Sequence, residues 1–325
     1  MGRRLTAVSL FSGCGGFDWG AHQAGVDILW ANDIDPHAAA AYKAVFNNTE
    51  FIQGDIEEVK RFPQADILIG CYPCTGFSLG SRRRWRDADI RDLHAKKDNF
   101  LYQQFMRALL FVRPKYLFVE NVQGMNSAGD GWFFRQQWLG FREYGYKISY
   151  KVLMAHDFGV PQTRKRMFLV GVRDDISFYF SYAFPEPTHG PTTDTSYVNL
   201  HTALQGMESW PKGEYFDYPF HGHYLTRNRK RPWTQPSYTI VADKHHVPLH
   251  PMGEPMVFVA KDHWALQGDE NRRLSWRECA AIQGLPAKAE PSGTLENKYR
   301  VVGNSVPPTF GKKLLEPIVR FEAMC

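Results

Sequence analysis

The chain has 325 residues, of which 43% are hydrophobic and 22% are charged, as in an ordinary soluble globular protein with one large core and a second lobe. No apolar run approaches the roughly 18 residues of a membrane span, and the first residues lack the long apolar stretch of a secretory signal. Five cysteines are scattered along the chain at 14, 71, 74, 279 and 325, an odd number that predicts free thiols in a reducing compartment. We therefore expect a cytoplasmic protein without a membrane partner.

Basic charge is concentrated in two stretches. The net charge of the chain is only +5. Residues 82–97 hold seven basic and three acidic residues (7 − 3 = +4), and residues 218–242 hold four basic residues and no acid. Such concentration suits a polyanion, most simply a nucleic-acid backbone. Two solvated surface loops would explain the charge equally well.

The first 170 residues alternate apolar runs with helical patterns. The apolar runs predict strands at 6–11, 28–31, 51–53, 67–69, 116–119, 147–153 and 167–172. The helical patterns between them predict helices at 16–24, 36–46 and 99–112. Alternation of this kind predicts an α/β fold, namely a Rossmann-like, mostly parallel sheet with helices on both faces.

From about Phe184 the pattern changes. Ten prolines between 185 and 255 interrupt the chain, and helical periodicity largely disappears, which predicts a second, loop-rich lobe. A helical pattern returns at Ser275–Gln283 and again after Pro308.

Polar and glycine residues follow the first three predicted strands. The segment Phe11–Gly16 connects the first strand to the first helix, where glycines let a ligand approach the backbone. It differs from the dinucleotide fingerprint, because Asp18 stands at the third glycine position. Asp33 ends the second strand, where a carboxylate can bind both ribose hydroxyls, and Asp55 follows the third, placed to accept from an adenine amine. We predict an adenosine-containing cofactor without a pyrophosphate; the alternative is that both acids cap the next helix.

Cys74 follows the fourth predicted strand and forms a C-x-x-C pair with Cys71. A zinc site would need further ligands that the chain lacks, so no metal is expected, while a redox dithiol or a buried structural thiol remains possible for such a pair. Glu120 ends another strand and should emerge at the same sheet edge. Arg164 and Arg166 are two residues apart and should point the same way. Together these groups could converge on one polar, planar substrate.

In this order, and over nearly the whole chain, these segments resemble the cytosine-5 DNA methyltransferases. The matching motifs are F-x-G-x-G-G at 11–16, the acid Asp33, Gly54-Asp55-Ile56, Pro73-Cys74 with Phe77-Ser78, Glu120-Asn121-Val122, Gln162-x-Arg164-x-Arg166, Arg277-Glu278 with Gln283-Gly284-Leu285-Pro286, and Gly303-Asn304-Ser305-Val306-Pro307-Pro308. One departure is Thr75, where the family commonly has glutamine directly after the cysteine that matches Cys74.

The resemblance implies S-adenosylmethionine as cofactor and a covalent mechanism on cytosine. Cys74 would attack carbon 6 of the ring, Glu120 would hold ring nitrogen 3 and the exocyclic amine, and Arg166 with Arg164 would bind the ring carbonyl and a neighbouring phosphate. The base must first be flipped out of the duplex. The implied cofactor-binding residues are Phe11, Gly13, Cys14, Gly15, Gly16, Asp33, Ile34, Asp55, Ile56, Pro73, Asn304 and Ser305.

The resemblance also implies the domain organisation and the DNA contacts. Residues 1–185 together with 298–325 would form the catalytic, S-adenosylmethionine-binding domain, and 186–297 the target-recognition domain. The loop 75–98 would close over the flipped base, and the stretch His221–Trp233 is a candidate for reading bases, with a purely phosphate-binding loop as the alternative. The predicted nucleic-acid contacts are Ser78, Ser81, Arg82, Arg83, Arg84, Arg227, Arg229, Arg231 and Thr239.

Three functions are therefore considered. The first is a DNA (cytosine-5)-methyltransferase acting on double-stranded DNA as a monomer, in a restriction–modification pair. The second is a tRNA-cytosine methyltransferase on the same scaffold, against which the basic second lobe argues. The third is a non-catalytic DNA-binding relative, against which the presence of Cys74, Glu120 and both arginines argues.

Overall fold

The computed structural model describes residues 3–73 and 96–325. Within these residues seven strands form one sheet in the order β3-β2-β1-β4-β5-β7-β6. The strands are β1 Leu5–Leu10, β2 Val26–Asp33, β3 Glu50–Gln53, β4 Ile67–Gly70, β5 Tyr116–Asn121, β6 Tyr146–Met154 and β7 Lys165–Arg173. Strands β1 to β5 pair in parallel, whereas β7 runs antiparallel to β5 and β6. The predicted α/β class with a mostly parallel sheet is confirmed.

Helices lie between and after the strands. They are α1 Gly16–Gln23, α2 Pro36–Val45, α3 Tyr102–Val112, α4 Trp132–Glu143, α5 Asp174–Ser177, α6 Leu200–Ala203, α7 Trp276–Gln283, α8 Leu295–Asn304 and α9 Pro308–Glu322. Short 3₁₀ turns occur at Ile56–Glu58, Lys97–Phe100, Gln123–Asn126, Ala155–Phe158 and Tyr224–Thr226. None of the helices in the described ranges is long and apolar enough to cross a membrane.

Each face of the sheet packs against its own pair of helices. Side chains alternate between the faces of a strand, so Ala7 and Phe118 face one side while Val8 and Leu117 face the other. The first side packs against α1 and α9, and the second against α3 and α4. Burial on both faces explains why the central strands β4 and β5 contain continuous apolar runs rather than alternating patterns.

Local capping fixes where several helices begin. Asp35 caps α2 by accepting from the His37 amide at 3.0 Å, and Pro36 occupies the first helical position. Ser275 and Glu278 form a reciprocal capping box at the start of α7, and Gly284 ends that helix in the left-handed region. The capping side chains pair amides that the start of a helix otherwise leaves free, and the Gly284 amide donates to carbonyls at the end of α7.

The second lobe has a small core of its own and shares a larger one with the sheet. Tyr224, Leu249 and Met256 form the small core, next to a hairpin of strands β8 Val257–Ala260 and β9 His263–Ala265. The shared core joins Cys14 and residues of α2 to α6, α7 and α8. The predicted domain boundaries at 185/186 and 297/298 stay a prediction, since this shared core contains residues from both sides of them.

Candidate active site

The strand ends that the sequence singled out lie along one edge of the sheet. Strands β3, β2, β1, β4 and β5 are parallel neighbours, so their carboxyl ends meet at that edge. From β1 the chain builds the sheet outward in one direction through β2 and β3, and then continues on the other side of β1 with β4 and β5. The strand order therefore changes direction at β1. Open α/β sheets bind ligands at such a switch point. The segment Phe11–Gly16 follows β1, and Cys71–Pro73 follows β4.

The glycine turn after β1 is tight and open on one side. Gly13 has φ +56° and no atom within 4 Å of the position that a Cβ would occupy. Gly15 caps α1 in the left-handed conformation at φ 81°. A Cβ on Gly16 would lie 2.1 Å from the carbonyl oxygen of Val306. The turn therefore has space for a ligand at Gly13, while at Gly16 it packs directly against the C-terminal segment.

Asp33 is suited to bind a diol. Its two carboxylate oxygens each accept one backbone hydrogen bond, from the amides of Gly13 at 2.8 Å and Asp35 at 2.9 Å. A carboxylate oxygen can accept more than one such bond, and burial, the largest effect on this group, raises the pKa of Asp33. Further donors such as ribose hydroxyls would offset that desolvation. The next side chain, Ile34, is 65% exposed and offers an apolar surface for a flat ring.

Asp55 and Ile56 occupy more ordinary positions. Asp55 accepts from the Glu57 amide at 2.9 Å and so caps the short 3₁₀ turn that follows β3. This is the capping role that was the alternative to a cofactor contact. Ile56 is buried in the core on the second face of the sheet. Contact of either residue with an adenine ring stays a prediction.

The other predicted cofactor residues divide by burial. Phe11 is partly exposed and packs edge-to-face on Tyr72 at 6.0 Å between ring centroids, and Pro73 is exposed. The Cys14 thiol instead lies in the shared core, and burial raises its pKa to about 11, so a cofactor contact there would have to come from the backbone.

The C-terminal motif lies beside the glycine turn. Asn304 ends α8, and Ser305 caps that helix and is 6% exposed. A Cβ on Gly16 would lie 2.3 Å from the Ser305 hydroxyl. The C-terminal segment thus packs against the glycine turn that follows β1. Direct contact of Asn304 or Ser305 with a cofactor stays a prediction.

Glu120 and Arg166 form a partly buried ion pair at the same edge. Nε of Arg166 lies 2.8 Å from Oε1 of Glu120, and the two side chains are 16% and 11% exposed. The two atoms are not aligned for a hydrogen bond, and among the described residues no donor is bound to Oε1 of Glu120. The arginine therefore fixes the carboxyl group while leaving it able to bind a substrate.

Of the two cysteines in the C-x-x-C pair, Cys71 is unsuited to be the nucleophile. Burial and the charge of Glu120 raise its pKa well above the ordinary value, so the thiol stays protonated near neutral pH. It is a free thiol, like Cys14, Cys279 and Cys325. The predicted nucleophile Cys74 and the predicted contacts Ser78, Ser81, Arg82, Arg83 and Arg84 lie outside the described residues.

Arg164 does not share the surroundings of Arg166, which corrects the expectation that the two act as a pair on the base. Its side chain is 1% exposed. The guanidinium donates to the carbonyl oxygens of Ile240 at 2.9 Å, Gly303 at 3.1 Å and Ser305 at 2.9 Å. These bonds tie the start of β7 to the second lobe and to the C-terminal segment. Arg164 is therefore assigned a positioning role.

Thr239 also makes an internal contact. Its hydroxyl donates to the Thr163 carbonyl at 2.8 Å, and the Thr163 amide donates to the Ser237 carbonyl at 2.9 Å. The segment around Thr239 is thus joined to the loop that leads into β7. The hydroxyl oxygen can still accept a hydrogen bond, and its contact with a DNA backbone stays a prediction.

The three predicted arginines of the second lobe differ in accessibility. Arg227 is exposed, and Arg231 is half-buried. Arg229 is only 8% exposed and donates to the carbonyls of Tyr224 at 3.1 Å and His246 at 3.3 Å. Most of its guanidinium is used inside the lobe, and a direct contact of Arg229 with DNA stays a prediction.

One buried group beneath the site was not recognised from the sequence. Asp18 of α1 is 1% exposed and accepts from the hydroxyls of Ser9 and Tyr42, each at 2.8 Å. Burial raises its pKa to about 6. The available signal was an acid on the apolar face of a short helix, between Phe17 and Ala21, which both pack against the sheet.

Comparison with known proteins agrees with this geometry. The family model described as C-5 cytosine-specific DNA methylase matches residues 5–320. The Type II methyltransferase M.BspRI of Lysinibacillus sphaericus is 35% identical, with 98% of this chain and 82% of that protein covered. The Type II methyltransferase M.BsuRI of Bacillus subtilis is 33% identical, with 98% and 80% covered.

The fold has solved counterparts. The methyltransferase EhMeth of Entamoeba histolytica superposes with a TM-score of 0.72 over 100% of both chains, at 14% identity. At that identity the likeness concerns the fold alone. The family match extends over nearly the whole sequence, and so the chain belongs to the C-5 cytosine-specific DNA methylase family, which favours the predicted DNA cytosine-5 methyltransferase over the tRNA and non-catalytic alternatives.

Proposed function

We propose that this DNA methyltransferase forms a covalent bond between Sγ of Cys74 and carbon 6 of a cytosine flipped out of double-stranded DNA, and that carbon 5 then takes the methyl group of S-adenosylmethionine. The observation that carries the proposal is the Glu120–Arg166 pair at 2.8 Å. It lies on β5 and β7, at the sheet edge where the neighbouring β4 leads through Pro73 to Cys74. The Type II relatives support a place in a restriction–modification system.

The residues of the chain supply an acid, a nucleophile and a fixed orientation. Attack of the Cys74 thiolate on carbon 6 moves an electron pair of the ring toward nitrogen 3 and the carbonyl. Glu120, as its acid form, would donate to nitrogen 3 and accept from the exocyclic amine, which stabilises that charge. Carbon 5 becomes nucleophilic. After methylation, carbon 5 loses its proton to a base, nitrogen 3 returns its proton to Glu120, and Cys74 leaves as the thiolate, which restores the aromatic ring.

Arg166 has two parts in this scheme. It holds the Glu120 carboxyl from one side, and its remaining N–H groups can bind the ring carbonyl, where negative charge develops. Its Nη1 already donates to the Lys165 carbonyl at 2.8 Å, which restricts the direction in which the guanidinium points. A lysine could not replace this planar set of donors.

The residues beside the glycine turn fit S-adenosylmethionine. When bound, this cofactor supplies an electrophilic methyl group on a sulfonium. The open backbone at Gly13, the Asp33 carboxylate and the exposed side chain of Ile34 provide an amide surface, a partner for the ribose diol and an apolar surface for the adenine ring. We further propose that the protein works on duplex DNA as a monomer in the cytoplasm.

The proposal is tested by incubating the protein with S-adenosylmethionine labelled in its methyl group and either unmethylated DNA or tRNA. We expect label in DNA, with bisulfite sequencing showing methylation at cytosine carbon 5. Cys74→Ser should abolish transfer but retain DNA binding, while the matched control Cys71→Ala should retain transfer. Glu120→Gln should lower kcat by roughly 10²-fold or more, because a general acid is lost.

Two results would contradict the proposal. Label confined to tRNA would refute the DNA substrate, and substantial turnover by Cys74→Ser would refute the covalent mechanism. A stable complex of wild-type protein with DNA containing 5-fluorocytosine, whose carbon 5 carries no removable proton, would support the covalent bond directly; its absence alongside normal methylation of ordinary DNA would count against it.

A further inference from the structure

Four histidines of the second lobe lie together in what we call the histidine cluster, consisting of His221, His223, His245 and His246. The ring centroids of His223 and His246 are 5.3 Å apart, and His221 lies 6.2 to 6.5 Å from the other three. Three of the side chains are exposed, and His246 is half-buried. The cluster joins the start of the stretch His221–Trp233 to the loop 243–246.

The positive charge around this cluster is only partly neutralised. Arg227 is exposed beside it, while Arg229 and Arg273 are buried next to the ring of Tyr224. In the described part of the chain none of the three forms an ion pair with a carboxylate. The hydrogen bonds of Arg229 and Arg273 go to backbone carbonyls, and one Nη2 atom on each has no partner there.

The nearby carboxylates are few and mostly engaged. Asp243 lies 2.7 Å from Nδ1 of His246 and accepts from the His245 amide. Lys244 and Glu296 pair at 2.6 Å, so their charges cancel. Asp217 acts on Arg273 electrostatically.

The charge of this surface therefore depends on the histidines. Three arginines against the carboxylates Asp217 and Asp243 leave one positive charge (3 − 2 = 1) when the imidazoles are neutral. Each imidazole that binds a proton adds one positive charge to this surface. The affinity of this surface for an anion must then rise as the pH falls.

His223 is the member of the cluster on which the neighbouring cations act most clearly. Burial lowers its pKa, and the charges of His246, Arg229, Arg227 and His221 lower it further. A phosphate bound there would reverse the effect of those charges, so that binding would be accompanied by proton uptake.

The position of the cluster fits a DNA substrate held at the active site. The loop 243–246 follows Val241 and Ala242, which pack on Gly303 so closely that a Cβ there would lie 2.3 Å from the Val241 backbone. The preceding residue, Ile240, accepts the hydrogen bond of Arg164. The histidine cluster is thus only a few residues along the chain from Ile240 and Val241, which contact Arg164 and Gly303.

We propose that His223, together with His221, His246 and Arg227, binds a phosphate of the DNA backbone, and that protonation of these imidazoles strengthens the binding. The inference rests on the proposed function, because the ligand is the DNA substrate itself. Imidazolium and guanidinium groups form charge-assisted hydrogen bonds to phosphate oxygens, and each neutralised phosphate adds to the salt dependence of binding.

The test measures the affinity of the full chain for a labelled DNA duplex by fluorescence anisotropy at pH 6 and pH 8, in the presence of EDTA. For wild type we expect Kd to fall on the order of tenfold between pH 8 and pH 6, as for uptake of about half a proton on average over this range. His223→Gln should flatten this change to about threefold or less and reduce the salt slope by about one phosphate. Unchanged affinity of wild type over this range, or an unchanged slope in His223→Gln, would overturn the inference.

Two further variants keep the test independent of folding and of the proposed function. His223→Lys carries a permanent charge and should bind at pH 8 as tightly as wild type binds at pH 6, with little pH dependence; weak binding of this folded variant would also count against the inference. His22→Gln, an exposed histidine on α1, should behave as wild type. If His223→Gln methylates DNA normally at saturating concentration and its Kd depends on pH as that of wild type does, only the role of the histidine cluster is refuted. Absence of any methylation by wild type would instead refute the proposed function.

Discussion

Asp18 shows how a single buried carboxylate links the cofactor turn to the sheet. It follows the glycine turn by two residues and is held by the hydroxyls of Ser9 on β1 and Tyr42 on α2. These hydrogen bonds lower its pKa, but the larger effect of burial raises it from 3.8 to about 6. The charged form is therefore less favourable in the folded protein than in the unfolded chain.

This shift predicts a pH dependence of stability. The pKa of Asp18 is higher in the folded protein than in the unfolded chain. Its contribution to the free energy of unfolding is therefore fully present below the unfolded pKa near 4 and is lost as the pH rises through about 6. Asp18→Asn stays neutral, so between pH 4.5 and 7.5 its free energy of unfolding should improve relative to wild type by about 2 kcal/mol. Urea denaturation at the two pH values measures the difference.

A second carboxylate provides the control. Asp175 is exposed, and its hydrogen bond to Arg173 lowers its pKa. Asp175→Asn should therefore show the opposite trend, because its loss of stability relative to wild type builds up as the pH rises toward the unfolded pKa and is nearly constant between pH 4.5 and 7.5. A difference between Asp18→Asn and wild type that is the same at both pH values would contradict the role assigned to burial.

At the same scale, burial decides which of the predicted site residues remain accessible. Arg164 and Arg166 look alike in the sequence, as do Arg227 and Arg229. The structure separates them, because Ile240, Gly303 and Ser305 place carbonyl oxygens around Arg164. Those contacts bring together residues more than 70 positions apart, and no local pattern could predict them. Glu120 was predictable because a strand end places it at the sheet edge.

At the scale of elements, helices α1 and α9 approach each other through glycines. A Cβ on Gly20 would lie 1.8 Å from the carbonyl oxygen of Pro308, and a Cβ on Gly311 would lie 2.2 Å from that of Phe17. Both obstructing atoms belong to the backbone and cannot move without shifting a helix. This contact holds the C-terminal helix on the first face of the sheet.

Gly20→Ala should therefore destabilise the protein, although alanine is the better helix former by about 1 kcal/mol. Overpacking against a backbone carbonyl should cost roughly 3 kcal/mol or more, seen as a lower midpoint in urea and a lower Tm. The matched control is Gly140→Ala in α4, where the nearest atom, at 2.5 Å, is the end of the flexible Met106 side chain. If Gly20→Ala proved as stable as Gly140→Ala, the close contact of the helices would be refuted.

The elements themselves were predictable to different degrees. Every predicted strand is present, and each of its ends lies within two residues of the prediction. The central strands β4 and β5 were the clearest, because strands buried on both faces contain continuous apolar runs. Helix α4 was not predicted, although Phe133, Gln137 and Phe141 recur at helical spacing and are buried. Apart from Leu139 and Gly140, its remaining residues are polar or aromatic, and Gly131 rather than a capping side chain precedes it.

At the scale of the whole molecule, a buried pair of glutamines connects the sheet to the second lobe. Nε2 of Gln162 donates to Oε1 of Gln283 at 2.6 Å, and Oε1 of Gln162 accepts from the Ile240 amide at 3.2 Å. Gln283 donates in turn to the Val302 carbonyl at 2.9 Å. Both side chains are fully buried. The network therefore joins the loop before β7, the segment at Ile240 and helices α7 and α8.

We expect this network to make the two lobes unfold together. Gln162→Met leaves the Ile240 amide and Oε1 of Gln283 unpaired, and each buried unpaired group costs about 1–3 kcal/mol. Gln283→Met should cost a similar amount. In the double variant the hydrogen bond between the two glutamines is lost only once. The double variant should therefore lose less free energy of unfolding than the two single variants together, by about 1 kcal/mol or more.

Urea unfolding of wild type, both single variants and the double variant measures this coupling, followed by circular dichroism and by tryptophan fluorescence. The two signals should change together in wild type, because the lobes have the shared core and the glutamine network in common. The exposed pair Lys97–Glu57, at 2.8 Å, is the control and should be additive within error. Additivity of Gln162→Met and Gln283→Met, or separate transitions for the two signals in wild type, would mean that the lobes are stabilised independently and that Arg164 and the glutamines only fill space between them.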